Sequence, residues 1–272
     1  MTLDEPLRQK LLRLRQDLSR KRRTILAFSG GVDSTFLMAM LKEAGTNFLA
    51  VTAVSPTMPA HDREQSVSLA RALDVGHRII ASGEMDNPRF VKNDFDRCFH
   101  CKDDLFSRLV TMAREEGFDH VVDGSTADDL YDHRPGMRAK MAHGVESPLL
   151  DAGLTKEELR LHSRTLGLPT WNRPASPCLS SRISYGEPIE SEALRMIESG
   201  ETWLKDHGFD IVRVRKQHHT ARIEIPEEQM ARFLDPGFRH ETNLFFRNLG
   251  FQFISLDLEG FASGKLNRMV LK

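Results

Sequence analysis

Apolar and polar positions along this chain follow helical and strand periods in turn. Leu3, Leu7, Leu11, Leu14 and Leu18 fall on one helical stripe, with basic residues over much of the rest. That pattern predicts an amphipathic surface helix over 3–20, packed on a core. A short apolar strand follows at 24–28, then a glycine turn and a helix over 34–43. Strands at 47–53, 75–80 and 119–123 alternate with helices at 61–73, 102–116 and 155–166. Such alternation predicts an α/β fold, a doubly wound parallel sheet with helices on both faces.

The pattern changes near Tyr185-Gly186-Glu187-Pro188, where turn residues cluster. Beyond it come a helix over 191–206, paired strands at 210–215 and 221–225, helices at 227–234 and 243–249, and a strand at 251–258. We therefore expect an N-terminal domain over 1–185 and a smaller C-terminal α+β domain over 186–272.

The 272 residues are 40% apolar and 28% charged, which is globular rather than disordered composition. A net charge of -1 argues against nucleic acid as the default partner, because polyanion binding draws on a basic surplus. No run approaches the length of a membrane span, and the first residues lack an apolar signal core. A cytoplasmic protein without a membrane partner is expected. Reduced thiols are the rule there, so three cysteines point to burial, metal binding or reactivity rather than disulfides.

Ser29-Gly30-Gly31-Val32-Asp33-Ser34 follows an apolar strand and opens a helix. The helix start offers unpaired N–H groups and partial positive charge. Two glycines let the backbone approach an anion, and the serines add donors. The product is a phosphate cradle. It is not a Walker A loop, since the Gly-Lys-Ser/Thr ending is missing, nor a dinucleotide fingerprint, since the glycines are adjacent. The loop resembles the PP-loop ATP pyrophosphatases, which cleave ATP between the α and β phosphates and adenylate an acceptor.

Cys98 and Cys101 lie three apart, and Cys178 stands far off in Pro177-Cys178-Leu179-Ser180-Ser181-Arg182. Thiolates suit zinc and iron alike, so spacing leaves open a zinc half-site, a redox dithiol, an iron–sulfur cluster and plain buried thiols. Gly124 and Ser125, with Asp128 and Asp129, follow a later strand, where ligands of open α/β sheets gather. Arg213 and Arg215, two apart on a strand, project from one face and suit a phosphate monoester or a charged outer edge. His218-His219 reads as a turn, and Trp171 as core packing.

Further segments are similar to one PP-loop branch. They are Asp123-Gly124-Ser125 with Asp132-His133-Arg134-Pro135-Gly136, Ser147-Pro148-Leu149, and Trp171-Asn172-Arg173-Pro174-Ala175-Ser176 running into the Cys178 segment. Val212-Arg213-Val214-Arg215, Ala221-Arg222-Ile223-Glu224, Leu256-Asp257-Leu258-Glu259-Gly260-Phe261 and Ser263-Gly264 complete the set. Over about residues 20–268 the chain resembles the LarE family, ATP-dependent sulfur transferases of nickel-pincer nucleotide biosynthesis.

The resemblance implies adenylation of a carboxylate of pyridinium-3,5-biscarboxylic acid mononucleotide by ATP and Mg2+, then replacement of AMP by sulfur. Three cysteines imply the iron–sulfur type, with Cys98, Cys101 and Cys178 holding a [4Fe–4S] cluster that carries a labile extra sulfide. Ser29, Gly30, Gly31, Asp33 and Ser34 would hold ATP phosphates and magnesium. Thr52, Ala53, Ser55, Gly124, Ser125 and Asp129 would complete the nucleotide site. Ser181, Arg182, Arg213 and Arg215 would take the substrate phosphate, and Cys178, Asp33 and Glu201 would form the catalytic set. An oligomer is implied as well, and the sulfur donor is unspecified. Rival readings are a tRNA thiolase, an ammonia-dependent amidating enzyme like NAD synthetase, and a nucleotide sensor.

Overall fold

The structure, a computed structural model, describes residues 4–130, 136–262, 265 and 268. Leu3 of the leucine stripe, Asp132, His133, Arg134 and Pro135 of one motif, and Ser263-Gly264 of another lie outside the described residues. In chain order the elements are α1 (Glu5–Leu18), β1 (Arg23–Ala27), α2 (Val32–Glu43), β2 (Asn47–Val54), α3 (Ala60–Ala72), β3 (His77–Ala81), α4 (Pro88–Val91), α5 (Arg97–Glu116) and β4 (His120–Val122). There follow α6 (Gly136–His143), α7 (Pro148–Asp151), α8 (Lys156–Thr165), α9 (Ser191–Asp206), β5 (Arg213–Gln217), β6 (Thr220–Glu224), α10 (Pro236–Asn248) and β7 (Phe253–Leu256).

Two compact units result. The first comprises residues 1–84 and 98–176, the second 85–97 and 177–272. The first unit is built on a parallel sheet in the order β3-β2-β1-β4. Ile25 and Leu26 of β1 are wholly buried, as central strands covered on both faces require. Leu7, Leu11, Leu14 and Leu18 pack the expected stripe of α1 into the core on the Leu26 side. The chain leaves β1 toward β2 on one side and reaches β4 on the other, so the strand order switches direction between β1 and β4. Open α/β sheets bind ligands at such a point, outside the carboxyl ends of the strands.

The second unit carries a three-stranded sheet in the order β5-β6-β7, antiparallel then parallel. His218 and His219 form the β5–β6 turn as expected, with His218 at φ 51. Phe209, Val212, Val214, Ile223 and Phe246 form its core.

Three differences from the sequence reading have local causes. The unit boundary falls after Ser176 rather than at 185/186, and residues 85–97 join the second unit. Asn93 explains the latter: its buried amide donates to the Ser184 and Glu187 carbonyls, each at 2.8 Å. α5 starts at Arg97 rather than 102, because Asn93 in the left-handed region (φ 60) turns the chain and accepts a hydrogen bond from Arg97. α10 starts at Pro236 rather than 243, where Asp235 caps it by accepting from the Phe238 amide at 2.7 Å and proline takes the first position.

Candidate functional site

The first unit brings the Ser29–Ser34 loop to the switch point between β1 and β4. The N-cap of α2 is Gly31, which has no side chain to occupy the helix's first amides. The serine hydroxyls close the loop on itself, Ser29 Oγ lying 3.1 Å from Ser34 Oγ. Gly30 has φ +71, and a Cβ there would press on the Ser66 backbone of α3 at 3.3 Å. Gly124, just after β4, is tighter still. A Cβ at Gly124 would stand 2.9 Å from the Ser34 amide nitrogen. Glycine is therefore required to seat β4 against the first turn of α2. Asp33 is half-buried in that turn.

The other residues expected on the nucleotide side are held by neighbours. Thr52 Oγ1 donates to the Phe28 carbonyl at 2.8 Å and pairs with His77, whose imidazole burial pulls below its ordinary pKa. Ser55 and Thr57 donate to the buried carboxylate of Glu84, each at 2.5 Å. Ala53, on β2 beside Ile80 of β3, is half-buried. Ser125 Oγ donates to Asp123 at 2.7 Å, and Ser147 donates to the same carboxylate. Asp129 accepts from the Thr126 amide at 2.9 Å and pairs with Lys156 at 3.2 Å, while Asp128 caps the Lys156 amide.

The second unit gathers the residues expected around substrate phosphate and sulfur. Cys178 is exposed and precedes a 3₁₀ turn over Leu179–Arg182, its Sγ lying 2.8 Å from Ser180 Oγ. Ser181 Oγ donates to the Cys178 carbonyl at 2.7 Å. Arg182 is wholly buried. Its Nε and Nη2 donate to Glu201 at 2.9 and 3.1 Å, and its Nη1 to the carbonyls of Pro177 and Cys178. Glu201 accepts in addition from the Val214 amide at 3.1 Å, so its carboxylate ties α9, β5 and the cysteine turn together. Arg215 donates to the wholly buried Glu224 at 2.6 Å and to the Ser181 carbonyl at 3.0 Å. Arg213 is half-buried on the same strand face, its guanidinium 5.3 Å from the Phe261 ring. Burial, then the neighbouring cations Arg182 and Arg215, lower its pKa against the pull of Glu201 and Glu224. Such a concentration of guanidiniums favours an anion.

Cys98 and Cys101 lie near the start of α5, one turn apart, so their spacing places both on one helix face. They belong to the first unit and Cys178 to the second. None of the three is in a disulfide. Among the described residues no group of three or more histidine, cysteine, aspartate or glutamate side chains is gathered as a metal site. No helix among them is long and apolar enough to cross a membrane.

Sequence reasoning assigned no role to Glu84, Glu224, Ser180, Arg173 or Asp62. Only Ser180, Arg173 and Glu224 had a signal, as members of the motifs that carry the resemblance.

No family model matches the chain. The chain is similar to an uncharacterized protein of Synechocystis, 41% identical over 98% of this chain and 100% of the relative. A pyridinium-3,5-bisthiocarboxylic acid mononucleotide synthase of Lactiplantibacillus plantarum is 33% identical over 92% of this chain and 91% of its own. More distantly, a tRNA-specific 2-thiouridylase of Moorella thermoacetica is 28% identical over 65% of this chain and 61% of the relative.

Proposed function

The chain belongs to the LarE family of pyridinium-3,5-bisthiocarboxylic acid mononucleotide synthases, and from that premise we propose that it is an ATP-dependent sulfur transferase acting on a pyridinium biscarboxylate mononucleotide. A carboxylate is a poor electrophile because oxide would have to leave. Its oxygen attacks the α-phosphorus of ATP, the bond to the β-phosphate breaks, and pyrophosphate departs with the electron pair. Sulfur then adds at the acyl carbon and AMP leaves. A second round on the other carboxylate gives the dithiocarboxylate.

The observation that carries this reading is the exposed Cys178 mounted on a turn whose carbonyls are held by Arg182, within a cluster of three arginines. The first amides of α2 and the hydroxyls of Ser29 and Ser34 bind the departing pyrophosphate. Asp33 fits magnesium as a hard carboxylate ligand in that first turn. Thr52, Ala53, Ser55, Gly124, Ser125 and Asp129 shape the rest of the nucleotide site, mostly by fixing backbone. Arg213 is the direct ligand of the substrate phosphate, with Arg215 and Ser181 beside it. Arg182 adds charge, but its nitrogens are already committed to Glu201 and the cysteine turn. Glu201 acts by orienting Arg182.

The donor chemistry of Cys98, Cys101 and Cys178 fits an iron–sulfur cluster: three thiols outside any disulfide, two on one helix face. These residues would hold a [4Fe–4S] group, which when bound would supply sulfide already deprotonated. Anaerobic incubation with ATP, magnesium and the biscarboxylate, read by mass spectrometry, tests the proposal. An AMP adduct with pyrophosphate is expected. Intact ATP with this substrate, and pyrophosphate only with tRNA or ammonia, would overturn it.

A further inference from the structure

In the second unit the chain after β7 forms a tightly held turn that ends beside Arg213. The Asp257 amide donates to the Ile223 carbonyl at 2.9 Å, and the Phe261 amide to the Ile225 carbonyl at 2.8 Å. Between them the Glu259 amide donates to Asp257 Oδ1 at 2.9 Å and the Gly260 amide to the Asp257 carbonyl at 3.0 Å. Gly260 lies in the left-handed region (φ +74), and a Cβ there would stand 2.8 Å from the Ile225 carbonyl oxygen. The buried Lys265 closes the turn: its Nζ donates to the Gly260 carbonyl at 2.7 Å and lies 2.9 Å from Asp257 Oδ2. Arg222 of β6 lies 3.4 Å from the same oxygen.

This turn delivers an aromatic ring to the charged side of the sheet. Val214, Ala221 and Ile223 point into the apolar core of the unit, so Arg213, Arg215, Arg222 and Glu224 take the opposite face. Phe261 packs there, with the Arg213 guanidinium 5.3 Å from its ring centre. Arg182 and Arg215 are held differently, by the carboxylates of Glu201 and Glu224. A carboxylate both holds a guanidinium and neutralises it. A ring face attracts the cation through its quadrupole, fixes its plane and takes up none of its N–H donors. The full charge is then left for a ligand. Arg213 also stands among like charges, Arg182 and Arg215, which push it away. The ring holds it against that push.

We infer that Phe261 is a positioning residue that holds Arg213 for the substrate phosphate and so sets the preference for a mononucleotide over the same nucleoside without its phosphate, a role that rests on the proposed reading of Arg213 as the ligand of that phosphate. Phe261 itself touches no reacting atom. Its effect passes through one guanidinium, so it is confined to substrates that carry the phosphate. The nucleoside lacks the group that Arg213 binds and is indifferent to where Arg213 stands.

Pyrophosphate release by the full chain tests it, with ATP, magnesium and either the biscarboxylate mononucleotide or its dephosphorylated nucleoside. The readout is the ratio of the two kcat/KM values, and wild-type protein should favour the mononucleotide. Phe261→Leu should lower that ratio about fivefold, mainly through KM for the mononucleotide, the size of one partly buried cation–π contact. Phe261→Tyr keeps the ring face and should stay within about twofold of wild type. A trifluorinated phenylalanine at position 261 keeps the shape but withdraws charge from the ring face. It should lower the ratio much as leucine does, even where Phe261→Leu folds poorly. Lost packing alone would slow both substrates together and leave the ratio where it was. An unchanged ratio in the trifluorinated protein, or equal losses on both substrates in Phe261→Leu, would overturn the inference. Equal use of both substrates by wild-type protein would remove the phosphate role of Arg213 and this inference with it. No pyrophosphate from wild-type protein with either substrate would instead bring down the sulfur-transfer reading itself.

Discussion

The two units arrange positive charge by different physics. In the first, the Ser29–Ser34 loop uses backbone amides at a helix start, glycines and hydroxyls. Dipoles of that kind bind a phosphate and let it go when its charge changes. In the second, guanidiniums are locked by the buried carboxylates of Glu201 and Glu224. That is a permanent charge lattice, costly to bury unless every partner is present. On the proposed reading, the first solution suits a released pyrophosphate and the second a retained substrate phosphate.

The comparison breaks first at Glu201. Glu201→Ala leaves the buried Arg182 without its carboxylate, and removing one partner of a buried pair costs roughly 3–5 kcal/mol. Thermal unfolding should show the loss, and a midpoint within a degree of wild type would contradict the lattice view. Gly124→Ala strikes the other unit. Its Cβ must displace the Ser34 amide by several tenths of an ångström. Pyrophosphate release should fall by about 100-fold, or about 2.7 kcal/mol in barrier, as misplacement near a reacting group does. Unchanged release would remove the α2 start from the phosphate site.

A smaller effect is expected at the start of α8. Thr155 and Glu158 form a reciprocal capping box there. Thr155→Ala should cost about 1 kcal/mol of stability, read as a lowered denaturant midpoint. The last expectation is a slope. Burial, aided by Arg15 and opposed by Glu43, holds the His162 imidazole below its ordinary value of 6.5. The folded protein then binds fewer protons than the unfolded chain. Its stability is complete above the unfolded value and declines as pH falls below it toward the folded value. His162→Phe should flatten the difference between denaturant midpoints at about pH 7.5 and about pH 5.5. An unchanged difference would assign the acid loss to other groups.

The first unit was the more legible in sequence, and the reason is contiguity. Ser29 to Ser34 is one run behind an apolar strand, and the α/β alternation places it at the carboxyl edge of the sheet. The reason for Gly124 was not legible, because it is a contact with a turn some ninety positions earlier. The second unit's pairs lie far apart or across a hairpin: Arg182 with Glu201, Arg215 with Glu224. Local periodicity carries no record of which arginine has a buried partner, so Arg182 read as a phosphate ligand when its nitrogens are committed to protein atoms. Asp62 was silent for the same reason: its meaning depends on Arg173 and Ser176 arriving from another part of the chain.

A single-turnover quench comparing wild-type protein with Cys178→Ala tests the division of labour most directly. ATP, magnesium and the biscarboxylate are mixed anaerobically, and pyrophosphate, acyl-adenylate and thiocarboxylate are followed by mass. Wild-type protein should form all three in sequence, and Cys178→Ala should stop at the adenylate with pyrophosphate released. Thiocarboxylate formed by Cys178→Ala at the wild-type rate, or no pyrophosphate from either protein, would contradict the account.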